Sequence, residues 1–160
     1  MNRALVVGLL ILTHAGFAAG GFALGIYVLP ILTAPDAPAE PLLRSMTQAA
    51  SYTGQFRRDL QDSDALHWGE GTLYVGSDMI AFEGELAPGP DYRLYLAPRF
   101  IETEQEFLAE LDTMVEVGPV RSFGNFVLPV PESINPDDYV AAIVWCKAFG
   151  QFITATQYRE

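Results

Sequence analysis

Cysteine is nearly missing from this chain: Cys146 stands alone among 160 residues. A single thiol closes no intramolecular disulfide, which excludes the small secreted domain stapled by several bridges. Histidine is almost as scarce, with only His14 and His67. One cysteine and two histidines cannot build a closed protein-only zinc site of the usual Cys/His type. Basic residues are few as well. Lys and Arg total 9 against 20 Asp and Glu, a net charge of −11. Arg3 is the one charged side chain before Asp36, so the acidic excess lies wholly in residues 36–160. Such a surface repels phosphate backbones and argues against nucleic acid as a partner. It also gives no reason to lie on anionic lipid. There is no Gly-rich phosphate loop, no paired-cysteine metal spacing, no HExxH and no nucleophile elbow. No catalytic residue is assigned, and a non-enzymatic role is favoured.

The second absence is of charge near the N-terminus. Residues 4–32 contain no Asp, Glu, Lys or Arg. As a helix this stretch is roughly 43 Å long, more than the ~30 Å hydrocarbon core requires. It reads as a single transmembrane signal anchor that frays or bends near Pro30. Arg3 and the α-amino group precede it, and Asp36 and Glu40 come after it. The positive-inside rule then puts residues 1–3 in the cytoplasm and the rest on the outer side of the cell's inner membrane, in the periplasm or extracellular space. A cleavable secretory signal is the rival, with Ala37-Pro38-Ala39 as its cleavage site, but this apolar run is about twice the usual length. Gly16 with Gly20, and Gly21 with Gly25, form two GxxxG pairs. Each lets a neighbouring helix approach closely, and the two stripes lie roughly 140° apart. They point to membrane protein subunits as partners. His14 sits at mid-depth, where an ionisable residue is costly. A hydrogen bond to a neighbouring helix is the plainer reading, and axial ligation of a haem or chlorin the sharper one.

Residues 33–53 form a Pro/Ala-rich linker, whose first part, 33–41, is expected to be extended and stiff and to hold the domain off the membrane. Its second part, 42–53, is polar-mixed and suits a short helix. The domain spans 54–160. Short segments of β character succeed one another at 71–75, 79–83, 92–96, 115–117 and 125–128, separated by turn residues. Thr103-Glu-Gln-Glu106 is a capping box ahead of one helix over about 103–112. The expected class is all-β, a β-sandwich or barrel-like domain with one short helix, preceded by the single transmembrane helix.

The segment from Asp138 to Thr156 organises the domain. Val140, Ala142, Val144 and Cys146 alternate with Ala141, Ile143 and Trp145, so both faces are apolar. A strand of that kind belongs in the middle of a sheet covered on both sides. The segment is expected to run as one long strand, with Gly150 permitting a break or bulge before Phe152.

The residues Gly54-x-Phe56, His67 followed by Gly71-Thr, Gly89-Pro90-Asp91 with Leu96, Gly124 leading to Pro129, and Tyr139-x-x-x-Ile143-Val-Trp145-Cys146-x-x-Phe149 carry a resemblance. Over residues 54–156 the chain resembles the DM-thirteen family, often labelled an electron-transfer domain. The family's usual Tyr before the mid-domain Pro appears here as Phe126. The resemblance implies an all-β extracytoplasmic fold, a cysteine on the last core strand, and a redox setting. Gly89, Pro90, Asp91, Trp145 and Phe149 are its structural motif. Cys146 and His67 are its redox candidates.

Each candidate also has a plain reading. An unpaired Cys is most often a small buried hydrophobe. His67 also suits a loop or edge position hydrogen-bonded to backbone. Asp91 is expected to accept backbone N–H bonds in a turn. Glu102, Glu104, Glu106 and Glu110 make a solvated face, and Asp137-Asp138 a turn. No cofactor is bound through a recognisable motif, and any haem or pigment contact would come through partners. The reading favoured is a non-catalytic accessory subunit or redox-associated module of a membrane electron-transfer assembly, its acidic outer domain docking on a partner protein. The alternatives are a thiol-based redox protein using Cys146 and a β-sandwich that binds a glycan or small ligand.

Overall fold

The computed structural model describes residues 2–160. Helix α1 (Arg3–Thr33) runs unbroken through Pro30, capped by the Asn2 side chain on the Ala4 N–H, and buries none of its residues. Among the described residues it is the one helix long and apolar enough to cross a membrane. All four glycines of the GxxxG pairs face open space. His14 is also exposed, and its Nδ1 lies 2.7 Å from the Leu10 carbonyl. That bond is made to the preceding turn of its own helix.

The second part of the linker holds the short helix expected there. Residues 34–39 are irregular, but α2 (Glu40–Ala49) is a helix with Leu43 buried. Burying that leucine packs α2 against the domain, so the second half of the linker docks on it. The first strand then starts earlier than residue 54.

Eight strands form two antiparallel sheets. One has the order β1 (Tyr52–Phe56), β2 (Gly69–Val75), β3 (Met79–Leu86), β6 (Phe126–Pro129). The other has the order β5 (Val115–Val120), β4 (Tyr92–Ala97), β7 (Ala141–Cys146), β8 (Gln151–Gln157). The main core lies between them. Leu73, Val75, Ile80 and Phe82 of the first sheet meet Leu94, Leu96, Ala142, Val144 and Ile153 of the second. The all-β expectation holds, and alternation is its cause: on β4, Tyr92, Leu94 and Leu96 face this core while Tyr95 faces away.

The short helix α3 (Glu104–Glu110) covers the outer face of the second sheet. Its N-cap is Thr103, whose hydroxyl accepts the Glu106 N–H as the capping box requires. Phe107 reaches down to stack on Trp145, centroids 4.0 Å apart and planes 9° from parallel, with Tyr95 edge-on at 5.1 Å. Sandwiched this way, all six residues of β7 are buried. The chain past Cys146 corrects the single long strand expected. It turns at 147–150, with Gly150 at φ 63°, and returns as β8. Val144 pairs with Thr154 and Trp145 with Phe152, which leaves Ile153 as a bulged residue on the returning strand. Ala148 and Phe149 thus belong to a turn, and Phe149 is exposed.

Candidate functional site

Cys146 ends β7 on its inward face, opposite Tyr92 of β4 and Gln151 of β8. The thiol is 3% exposed and donates a hydrogen bond to the Pro90 carbonyl, Sγ to O 3.0 Å. Burial pushes its pKa up from the ordinary thiol value, against smaller opposing pulls from the Phe149 and Ala148 backbone. Its neighbour Lys147 supplies no compensating charge there, since Nζ lies 3.2 Å from Glu116. A protonated, hydrogen-bonded thiol without a partner cation is a poor nucleophile.

The turn before β4 supplies the opposite wall. Gly89 is pressed against the Tyr92 ring: a Cβ there would fall 2.4 Å from Tyr92 Oη and 2.8 Å from two ring carbons. Asp91 takes a left-handed φ of 50°, a conformation short polar residues adopt more readily than most. Its backbone carbonyl accepts the Lys147 N–H, which ties this turn to the end of β7. Its carboxylate does not cap backbone N–H groups as expected. It holds the Arg93 guanidinium, which also reaches Glu116. The same Glu116 carboxylate accepts from Tyr95 Oη at 3.0 Å, and burial followed by that bond pushes the phenol up to about 12.

His67 arrives from the loop before β2. Asp64 builds that loop, its carboxylate accepting the N–H groups of Leu66 and His67 and, at 2.9 Å, His67 Nδ1. The bond to the imidazole is the largest of the influences that hold Asp64 below its ordinary carboxylate range. An ionised carboxylate only accepts, so Nδ1 carries the proton and Nε2 is left as the second ring nitrogen.

These pieces surround one cavity of about 220 Å³. Cys146, His67, Gly89, Pro90 and Phe149 all line it, together with Leu66, Pro88, Tyr92, Gln151 and Ile153. Ala23, Ile26 and Tyr27 of α1 complete the wall. The two redox candidates are therefore brought to one space, though no hydrogen bond joins them among the described residues. Asp91 lines the adjoining cavity with Arg93. Trp145 is on the other face of β7 and takes no part. Tyr92, Gln151 and Tyr27 carry no motif in the sequence, and only the pairing of the strands and the lie of α1 bring them here.

A family model described as Electron transfer DM13 matches residues 56–158. The chain belongs to that family. The match takes in the whole of β2 to β8, and with them His67, the Gly89–Asp91 turn and Cys146. No curated protein and no solved structure gives a significant match. On α3 the acidic side chains expected to form a solvated face are half-buried and paired: Arg99 bridges Glu106 and Glu110, and Glu104 accepts from Gln151. No group of three or more His, Cys, Asp or Glu side chains arranged to hold a metal ion occurs among the described residues.

Proposed function

We propose that this DM13 protein is a non-catalytic, redox-associated module of a membrane electron-transfer assembly, an accessory subunit moored by α1. Its N-terminus lies in the cytoplasm and its acidic domain on the outer side of the inner membrane. The family supports the redox setting, and the length and apolar character of α1 support the mooring. The observation that carries the choice between accessory module and thiol enzyme is Cys146. Its thiol is buried, bound to the Pro90 carbonyl and driven toward its neutral form, whereas exchange chemistry needs an accessible thiolate. The glycine pairs of α1, open on this chain, suit helix packing with other membrane subunits.

The test is gentle detergent extraction of the chain carrying a C-terminal tag, beside a Cys146→Ser variant. The expected result is co-purification of membrane subunits with a cofactor spectrum, retained in the variant. A colourless, solitary monomer defeats the proposal. Loss of the redox activity but not of assembly in the variant would restore the thiol reading.

A further inference from the structure

The cavity beside Cys146 has a way in that the strands alone do not explain. A helix of 31 residues is about 46 Å long, against a hydrocarbon core of ~30 Å. With Arg3 at the inner boundary, roughly the first twenty residues cross and about ten project on the outer side. The crossing point falls near Ala23. Ala23, Ile26 and Tyr27 are the α1 residues that wall the cavity. Tyr27 then occupies the headgroup layer, where tyrosines collect. On the domain side the lip is made by Leu66 and Phe149, 62% and 56% exposed. Two large apolar side chains on loops, open to water, are out of place on an acidic soluble face but suited to the edge of a bilayer.

The interior of the cavity is mostly apolar, with few polar groups. Cys146 Sγ is occupied by the Pro90 carbonyl. Tyr92 lines the cavity, and its hydroxyl is not one of the fully buried polar atoms left without a partner, which among the described residues are Ser63 Oγ and Thr154 Oγ1. It is therefore open to the cavity and can donate a hydrogen bond there. His67 offers Nε2, an acceptor while Nδ1 donates to Asp64. The Tyr92 hydroxyl can donate to a quinone carbonyl or to a hydroquinone oxygen, and the His67 nitrogen can accept only from the hydroquinone O–H. A dry cavity of about 150 Å³ already admits benzene, so about 220 Å³ has room for a substituted single ring.

We infer that this cavity binds the ring head of a lipid-soluble quinone or quinol, entering past Leu66 and Phe149 while its tail stays in the bilayer along α1. The inference rests on the membrane mooring proposed above and names a ligand for the same site. The experiment uses the full chain in phosphatidylcholine nanodiscs with a photoreactive azidoquinone. Crosslinked peptides are mapped by mass spectrometry with and without excess decylubiquinone. Expected are labels on peptides holding Leu66–His67, Phe149 or Ala23–Tyr27 that decylubiquinone suppresses. Tyr92→Phe, which removes only the hydroxyl, should raise the competing concentration about three- to tenfold. Ala23→Phe fills the cavity from the helix side without touching the domain core and should abolish the competed label. Labelling that decylubiquinone does not suppress, or that both variants leave unchanged, overturns the inference while the mooring stands. Release of the chain from membranes by carbonate takes down both.

Discussion

Replacing Phe107 with Ala tests the claim that β7 is covered on both sides. Phe107 is 1% exposed and is the main apolar contact α3 makes, stacked on Trp145 and edge-on to Tyr95. Buried Phe→Ala changes cost about 3–5 kcal/mol, the aromatic contacts included. α3 has seven residues, too few to stand alone as a helix. It will sag toward the sheet once the ring is gone, which recovers part of the loss, so about 3 kcal/mol is expected. At roughly 3–5 °C per kcal/mol for a domain of this size, the midpoint should fall by about 10–15 °C. The assay is thermal unfolding of the full chain in detergent, followed by near-ultraviolet circular dichroism, where the Trp145 signal should also weaken before melting. Leu108→Ala, one residue along and 56% exposed, is the control and should stay within about 0.5 kcal/mol. Equal shifts for the two variants would refute the reasoning, because they would mean that α3 does not seal that face.

Cys146 should react with a thiol reagent at pH 8 at least about tenfold more slowly in the folded chain than in guanidinium; equal rates would show an accessible thiolate. Its folded pKa is raised, so the stabilisation from the neutral thiol is complete below the ordinary thiol value, ~8.5, and is lost as pH climbs through the folded one, which a Cys146→Ala variant should not show in its melting at pH 8 to 10. Gly71→Ala should cost at least about 2 kcal/mol, since Gly71 has φ 141° and a Cβ would lie 2.3 Å from the Glu83 carbonyl oxygen; Gly118→Ala, with nothing within 4 Å, should melt like the parent. Asp64 has a depressed folded pKa, so its contribution is present above the ordinary carboxylate range and fades as pH falls through the folded value; the melting-point gap between the parent and Asp64→Asn should shrink between pH 5 and pH 3, and a constant gap would count against the hydrogen bond with His67.

Much of the architecture is legible along the chain because it is local. The alternation of residues 140–146 announces a strand buried on both faces, Thr103 and Glu106 announce the cap of α3, and the uncharged run ahead of Asp36 announces α1. Gly150 marks a break but not its kind. Whether the chain bulges or reverses there depends on β8 finding β7, and that pairing moves Phe149 from a strand to an exposed turn. The Asp64–His67 pair has a local signal, since an Asp turn from Asp64 to the Leu66 N–H two residues on brings His67 within reach of the same carboxylate. Asp59 and Asp62 stand close by in the same loop, however, and nothing local singles out Asp64 as the one that holds the imidazole. Leu43 anchors α2 through a contact with the sheet that the polar-mixed sequence of 42–53 does not reveal.

By itself, then, the chain's order of residues determined its elements: a greasy helix, an acidic β domain, a lone cysteine on the innermost strand. Periodicity and charge act within a few residues of each other, so they can be read along the line. The cavity was decided only in three dimensions. Cys146, Pro90, His67 and Tyr27 come from four distant segments, and their meeting follows from strand register and from where α1 lies against the domain. Long-range packing of that kind leaves no spacing in the sequence to find.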